Sequence, residues 1–476
     1  MDWIIFWIVV YLIVIIYFTL KHVKSSDVEG YLVNNRNTRT LPLVFTILAT
    51  FVGGGTSIGL MAMGYESGFA GVGIGVAYVI GFFILSRYAG QINRIGAEKS
   101  LYSLPGFLNR SYTDSKHPTY SKVFSSVVSG VNIFIFFFLL AAQFVGMASL
   151  LKFAFDIGFQ SAAVISCLIV IFYTALAGLK GVIITDTIQF IVILLMIVFI
   201  FIPGVYTDTG GLQKLNELPA EMLNGTFYGI IFLIGLPLFL APSVMVRMDI
   251  WQRILAAKDH KVAKRVSIIS GLGMLPFYIL FPLVGMAIRL VMVEEVAPRD
   301  VPYLFLDRHT GTFVLGFAVV GLLSALMSSG DSFLNLISIS AVKDFVGWKK
   351  GKEMSQRALH SKIRIVAVVF GVIALFMALS FPKIVDLMVV GLATIVIFVP
   401  VTIFALIRKD VHKFRVAALT SIIVGFIVNL FFFVWGITSP NQFEPKASFI
   451  PAFLAAQGVL VIGVFFTRQK GVNKKR

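Results

Sequence analysis

Long apolar runs fill most of the chain and are separated by short breaks of charged and turn-forming residues. An apolar run of about 18 or more residues is long enough to cross a bilayer as a helix. By that criterion the pattern predicts thirteen helices, at 2–20, 40–64, 70–92, 123–155, 158–180, 183–204, 226–250, 266–293, 311–342, 362–380, 384–408, 414–436 and 448–467. The runs are too long and too uniformly apolar for barrel strands. The pattern therefore predicts an all-α membrane protein.

Composition agrees with this fold class. Hydrophobic residues make up 58% of the 476 residues and charged residues only 13%, whereas soluble domains carry roughly 25% charged residues. The longest non-apolar stretches, near 93–122 and 343–362, are too short to form a core of their own. The first run follows Met1 and Asp2 rather than a basic segment. We therefore expect a retained first helix and not a signal peptide.

Basic residues alternate between loops and set the orientation. With the N-terminus placed outside, 33 of the 40 Lys and Arg residues fall in inside segments and 7 in outside segments. The positive-inside rule then predicts an outside N-terminus and a cytoplasmic C-terminus in the cell (inner) membrane. This placement accounts for the net charge of +17 without a nucleic-acid partner. The expected partner of the surface is the lipid bilayer, and we infer no oligomeric state.

Two of the predicted helices carry residues that interrupt a helix. The second contains Gly53–Gly55, and the seventh contains Gly235, Pro237 and Pro242. Glycine loosens a helix and proline removes a backbone donor. Unsatisfied backbone at this depth is tolerated where it lines a cavity or meets a ligand, although close packing at the glycines and simple kinks at the prolines are alternatives. Because the two helices are five apart, we expect two five-helix inverted repeats.

The repeats give a domain organisation. The first repeat covers 40–204 and the second covers 226–408. A peripheral first helix and cytoplasmic loop occupy 1–39, and two peripheral helices with a basic tail occupy 409–476. Three helices are thus expected outside the 5+5 core.

The ninth predicted helix carries an unusual polar cluster. Four serines and Asp331 fall within residues 324–332. Such residues are unfavourable in lipid unless they face the interior of the bundle, and hydroxyl and carbonyl oxygens suit a hard cation. Packing and interhelical hydrogen bonding are the alternative roles of the serines. Asp186, near the cytoplasmic end of the sixth helix, is either a helix-dipole charge or a cation ligand.

Two segments resemble the sodium/solute symporter family, which includes sodium-coupled sugar, proline, pantothenate, sialic acid and choline transporters. Residues 173–181, followed by Thr185, Asp186 and Gln189, are similar to its paired-glycine signature, with departures at Ala177 and Gly181. Residues 249–258 resemble the segment after its second broken helix. The resemblance implies a leucine-transporter-like fold and alternating access by rocking of a bundle made of helices two, three, seven and eight. It implies Na+ as the coupling ion and no other cofactor or metal.

The resemblance also implies two ion sites. The principal sodium site would use the carbonyls of Ala49, Val52 and Ala325 and the hydroxyls of Ser328 and Ser329. A possible second sodium site would use Asp186, Ser328, Asp331 and Ser332.

Residues at the break in the second helix and near it are candidates for solute binding. They are Gly53, Gly55, Thr56, Tyr78 and Gln143. A packed aromatic ring and an interhelical hydrogen bond are the alternative roles of the last two. Because few full charges are expected at mid-membrane, we predict a small neutral or zwitterionic organic solute. Residues 49–55 look like the choline branch, whereas the chain length suits the amino-acid and vitamin branches, and both stay open.

Other functions need other sequence features. A carrier of the same fold that is proton-coupled or uncoupled is the first alternative, with Asp186 or Asp331 as the proton site. A membrane-embedded enzyme or sensor is the second. The six histidines fall in loops or at helix ends, and the sequence has no H-E-x-x-H motif. We therefore expect a secondary active transporter and not an enzyme.

Overall fold

The computed structural model describes residues 3–22, 28–174, 179–345 and 356–473. Within these ranges the regular structure is helical, and Thr38 and Ala257 form an isolated bridge. The α-helices are α1 (Trp3–His22), α2 (Val28–Val33), α3 (Thr40–Phe51), α4 (Leu60–Ser67), α5 (Val72–Glu98), α6 (Leu104–Tyr112), α7 (Pro118–Phe155), α8 (Phe159–Thr174), α9 (Leu179–Met196), α10 (Ile202–Asp208), α11 (Ala220–Leu223), α12 (Ile230–Gly235), α13 (Met248–Ala256), α14 (His260–Val291), α15 (Val301–His309), α16 (Thr312–Ile339), α17 (Gln356–Ser380), α18 (Ile384–Ile395), α19 (Val399–Ile407), α20 (Arg415–Thr438) and α21 (Phe449–Asn473).

The number of spans differs from the number predicted. In the described ranges ten helices are long and apolar enough to cross a membrane, or eleven if the pair Ile230–Val246 and Met248–Ala256 forms one bent span. The predicted count of thirteen is not confirmed. The apolar helices Thr40–Phe51 and Phe159–Phe172 are too short to qualify alone, and Gly55–Glu98 counts as one long apolar stretch. Each of the thirteen predicted segments nevertheless contains helix.

The first predicted interruption is confirmed. Helix α3 ends at Phe51, and Val52 leaves helical geometry with ψ at 30°. The Gly53 carbonyl accepts from the amides of Thr56 (3.0 Å) and Ser57 (2.8 Å), and the chain resumes as a π-helical turn before α4. A Cβ on Gly53 would overlap a side chain of α16, so the glycine also permits close packing.

The second interruption lies later in the chain than predicted. Gly235 ends α12, and Pro237 and Pro242 stand in the first turns of a π-helical and a 3-10 segment. A proline in a first turn needs no amide donor there. Helical geometry therefore continues through both prolines, although the type of helix changes after α12. The chain becomes extended at Arg247 (φ −76°, ψ 121°), where the span bends by 50°.

Close helix contacts hold the middle of the molecule together. Gly64 of α4 and Gly285 of α14 face each other, and a Cβ on either would overlap the backbone of the other helix. Such small residues let membrane helices approach closely. Helix α16 is buried without interruption from Ala318 to Ile339. The division into repeats at 40–204 and 226–408 stays a prediction, and residues 175–178 of the paired-glycine segment lie outside the described residues.

Candidate ion and solute sites

Helix α16 meets the end of α3 through two adjacent hydroxyls. The Ser328 hydroxyl donates to the Ala49 carbonyl at 2.8 Å and to the Ala325 carbonyl at 3.1 Å. The Ser329 hydroxyl donates to the carbonyls of Thr50 (2.8 Å) and Ala325 (3.3 Å). All five residues are buried. The structure thus brings together four of the five residues predicted for the principal ion site, and it adds the Thr50 carbonyl.

The fifth residue, Val52, stands at the C-terminal cap of α3. Its neighbour Gly53 is packed so tightly that a Cβ there would overlap the Ser329 hydroxyl. The residue after Val52 therefore lies beside Ser329. We name the residues Ala49, Thr50, Ala325, Ser328 and Ser329 the oxygen cluster. It supplies carbonyl and hydroxyl oxygens, which suit a hard monovalent cation.

The predicted second ion site contains a guanidinium that the sequence interpretation placed in a cytoplasmic loop. Arg253 of α13 is 1% exposed, and its Nη2 donates to the Ser332 hydroxyl at 2.7 Å. The same nitrogen lies 3.5 Å from Asp186 Oδ2 and near the hydroxyls of Thr46 and Thr50. Thr46 also donates to Asp186. A second cation here would have to share Asp186 and Ser332 with Arg253.

The other two residues of that predicted site lie apart from Arg253. Ser328 belongs to the oxygen cluster. Asp331 is fully buried and lies within electrostatic range of Tyr11 of α1. Tyr11 in turn accepts a hydrogen bond from the Gln189 side chain at 2.9 Å. The second sodium site therefore stays a prediction. Of its four residues, the structure brings Asp186 and Ser332 together.

The five residues predicted to bind the solute line one cavity of about 460 Å³: Gly53, Gly55, Thr56, Tyr78 and Gln143. Thr50 and Ser329 of the oxygen cluster also line it. The cavity extends between loops that include Arg299, Lys383 and Lys446. A cavity of several hundred Å³ suits a small organic molecule, and here it adjoins the oxygen cluster.

The interhelical hydrogen bond considered for Gln143 is present in the structure. Its Oε1 accepts from the Gly54 amide at 2.8 Å, which satisfies backbone freed by the break in α3. Tyr78 packs edge-on against Phe51, with ring centroids 5.3 Å apart, and its ring lies 5.7 Å from that of Tyr278. Both residues therefore have structural contacts as well as a place in the cavity wall.

The sequence interpretation missed a buried charged residue of the cavity. Arg247 lines the wall, is 4% exposed, and pairs with Asp249 at 2.6 Å. Tyr278, which also lines the cavity, is 3.2 Å from the Thr56 hydroxyl. The sequence does contain a signal for this pair. Arg247 and Asp249 are oppositely charged, are separated only by Met248, and lie in an apolar span that is broken. The expectation that few full charges lie at mid-membrane did not take account of Arg247 and Asp249, although both lie inside the predicted helix 226–250.

Comparison with known proteins identifies the family of the chain. The sequence profile of the sodium:solute symporter family matches residues 31–425. The chain belongs to the sodium:solute symporter family. Among its relatives are sodium/proline symporter 2 of Staphylococcus saprophyticus, which is 26% identical over 94% of this chain and 90% of that protein, and the sodium/proline symporter of Staphylococcus aureus, which is 24% identical over 97% and 91%.

Solved structures share the fold of this symporter. A Na+-coupled sialic acid symporter in a substrate-bound outward-open state matches with a TM-score of 0.75 at 15% identity, over 97% of this chain and 96% of that one. Mhp1, a nucleobase-cation-symport-1 family transporter in a closed conformation, matches with a TM-score of 0.56 at 13% identity, over 94% and 96%. The leucine-transporter-like fold predicted from the sequence is confirmed.

Family membership fixes the general activity. The protein is a sodium-coupled symporter of a small organic solute and a multi-pass protein of the cell membrane. The family and the structural neighbours are transporters.

Proposed function

We propose that this symporter binds Na+ in the oxygen cluster and couples it to a small neutral or zwitterionic solute held in the adjoining cavity. The observation that carries the proposal is the meeting of the Ser328 and Ser329 hydroxyls with the carbonyl ends of α3, at 2.8 Å from Ala49 and Thr50. A cation there would be ligated by a broken helix and by an unbroken neighbour at once. Its binding therefore stabilises one arrangement of α3 against α16.

Shared residues link the ion to the solute. Thr50 and Ser329 belong to the oxygen cluster and to the cavity wall, so an ion that orders them also orders one side of the solute site. Coupling of this kind is reciprocal, and the solute strengthens sodium binding by the same factor. A monovalent ion that crosses 100 mV releases about 2.3 kcal/mol, and a tenfold gradient adds about 1.4 kcal/mol. One Na+ per cycle sustains an accumulation of roughly a few hundred fold.

The side on which the cavity opens supports inward transport. Arg299, Lys383 and Lys446 line its mouth and belong to loops that the positive-inside rule assigns to the outside. The N-terminal end of α1 lies at the same side as the start of α16, because the rings of Trp3 and Phe313 are 4.9 Å apart. With the N-terminus outside, the solute enters from the outside and leaves to the cytoplasm.

The relatives support the solute class. Both proteins reported above are named for proline, which is a small zwitterion. The cavity volume of about 460 Å³ accommodates solutes of that size and somewhat larger ones.

Replacement of the driving ion tests the function. Purified protein in proteoliposomes is given an inward Na+ gradient, or the same gradient of K+ or choline at constant pH, and uptake of radiolabelled L-proline and of a mixed solute library is measured. We expect concentrative uptake only with Na+. Equal uptake without Na+ would contradict sodium coupling in this chain and would favour the proton-coupled or uncoupled carrier.

A further inference from the structure

A buried arginine forms part of the solute cavity. Arg247 stands at the 50° bend between the second broken span and α13. Its side chain is almost completely buried, yet it lines the same cavity as Gly53, Thr56 and Tyr78. A guanidinium at this depth is unfavourable unless it is paired and faces the interior of the bundle. An arginine in such a place is a functional-site candidate by the same reasoning.

The partners of Arg247 hold its guanidinium in one orientation. Nε lies 3.1 and 3.2 Å from the two oxygens of Asp249, and Nη2 lies 2.6 Å from Oδ2. The guanidinium carbon lies 4.0 Å from the centroid of the Phe51 ring, which it covers as a cation–π contact. Asp249 is not among the described residues that line the cavity. It therefore neutralises Arg247 from behind and leaves Nη1 outside this pairing.

Two phenols stand beside the guanidinium on the cavity side. Tyr78 and Tyr278 are buried, both line the cavity, and both lie within electrostatic range of Arg247. The Tyr278 hydroxyl also reaches the Thr56 hydroxyl at 3.2 Å. The cavity wall thus offers guanidinium and hydroxyl donors together with the carboxylates of Glu66 and Asp386, whereas the carboxylate of Asp249 is engaged by the arginine and does not line the wall. A planar oxyanion fits a set of donors of this kind.

We propose that Arg247 determines solute specificity by binding a carboxylate, so that the transported solute is a small carboxylate-bearing molecule. The inference rests on the proposed function and adds the substrate class. A quaternary ammonium group cannot accept hydrogen bonds from the guanidinium and hydroxyl donors, which argues against the choline branch left open by the sequence. The carboxylate would also lie near the oxygen cluster, since Thr50 and Ser329 line the same cavity. Its charge then attracts the bound Na+ and couples the two.

A panel of matched solutes tests the substrate class. Purified full-length protein is screened by thermal shift, in Na+ and in K+ buffer, against L-proline, cyclopentanecarboxylate, pantothenate and N-acetylneuraminate, which carry a carboxylate, and against L-prolinamide, panthenol, galactose and choline, which do not. We expect sodium-dependent stabilisation from carboxylates alone. Stabilisation by a solute without a carboxylate, or by none of the carboxylates, overturns the proposal. L-proline and cyclopentanecarboxylate separate a zwitterion from a simple anion.

Variants test the residue. In Arg247→Gln/Asp249→Asn the pair is replaced by neutral groups of similar size, and Arg247→Lys keeps the charge but loses the planar fork. We expect the half-saturation concentration of the stabilising carboxylate to rise at least about tenfold in the double variant and less in the lysine variant. Arg308→Gln is the control, because Arg308 is half-exposed and pairs with Asp208 at 3.0 Å away from the cavity.

The readouts separate the two proposals. Stabilisation by Na+ over K+ in the absence of solute reports the oxygen cluster, and it should persist in the Arg247→Gln/Asp249→Asn protein, which also shows that the variant is folded. If that folded variant has the same half-saturation concentration for the carboxylate as the wild-type protein, the proposed role of Arg247 is overturned. If the wild-type protein is equally stable in Na+ and in K+ without solute, the proposed sodium site is contradicted instead.

Discussion

Removal of the two hydroxyls of the oxygen cluster should weaken sodium binding by a predictable amount. In Ser328→Ala/Ser329→Ala both hydroxyls next to the α3 carbonyls are lost. A hydrogen bond or ligand contact to a charged group contributes about 1.5–3 kcal/mol, which corresponds to roughly 10- to 150-fold in affinity for each serine. We expect the dissociation constant for Na+ to rise at least about a hundredfold in the double variant.

Thermal or chemical unfolding of the purified protein in Na+ and in K+ measures this effect. At a Na+ concentration a hundredfold above the wild-type dissociation constant, the ion should stabilise the wild-type protein by about 2.7 kcal/mol. A site weakened a hundredfold should give about 0.4 kcal/mol at the same concentration. Each protein is compared with itself in the two salts, because the substitutions also remove hydrogen bonds to the Ala49 and Thr50 carbonyls.

A third serine of α16 provides the matched control. Ser338 is fully buried, and its hydroxyl donates to the Leu334 carbonyl of its own helix at 2.8 Å. Ser338→Ala should therefore keep the wild-type difference between Na+ and K+. If the Ser328→Ala/Ser329→Ala protein responds to Na+ as the wild type does, the oxygen cluster is not the ion site.

Three further predictions concern the surroundings of the two sites. Arg253→Gln and Asp186→Asn should each lower the free energy of unfolding by about 3–5 kcal/mol, because each leaves a buried charge unpaired. In denaturant unfolding the double variant should lose clearly less than the sum of the two single effects. Effects that add within about 0.5 kcal/mol would contradict the pairing. Gly53→Ala should abolish solute uptake because its Cβ overlaps a serine hydroxyl of the oxygen cluster, whereas Gly235→Ala, which meets nothing within 4 Å, should transport normally. Gly285→Ala should lower the free energy of unfolding by about 1–3 kcal/mol, because its Cβ overlaps the α4 backbone. Denaturant unfolding measures this effect, with Gly235→Ala as the control.

The features that the sequence predicted well have local signals. Three consecutive glycines in an apolar run mark the end of α3, and the structure breaks the helix there. Ser328 and Ser329 follow Ala325 by one helical turn, so their hydroxyls return to its carbonyl. Both features depend on residues that are close in sequence, and a helical period of 3.6 residues is sufficient to place them.

The charged residues of the bundle could not be placed in the same way. Arg253 falls in the basic loop predicted after residue 250, near residues 258–265, which are rich in lysine and arginine, and Arg247 falls near the cytoplasmic end of the predicted helix 226–250. In the structure all nine residues of α13 are buried, since the bend at Arg247 returns this helix to the bundle. Hydropathy along the chain does not detect such a return. The pairing of Arg253 with Asp186 is likewise a contact between residues 67 positions apart.

The predicted count of thirteen spans is not confirmed, because the helices of the described residues do not follow the apolar runs one to one. The prediction counts residues 40–64 and 70–92 as two crossings, whereas the structure divides the chain at Gly53–Gly55 and continues Gly55–Glu98 as one long apolar helical stretch. The structure separates Thr40–Phe51 from Leu60–Ser67, and neither is long enough to cross alone. Length alone therefore does not define a span where the helix is broken.

Arg253 lies where the predicted moving bundle meets the rest of the protein. It reaches Thr46 and Thr50 of α3 within the bundle, and it reaches Asp186 of α9 and Ser332 of α16 outside the bundle. If α3 and α13 rock together, the contacts of Arg253 with the two threonines persist and those with Asp186 and Ser332 change. Separation of a buried pair costs about 3–5 kcal/mol, so the charge pair resists rocking until another cation or a change in hydration compensates Asp186. Arg253 would then contribute to the barrier between the two faces of the transport cycle, beside the ion that drives it.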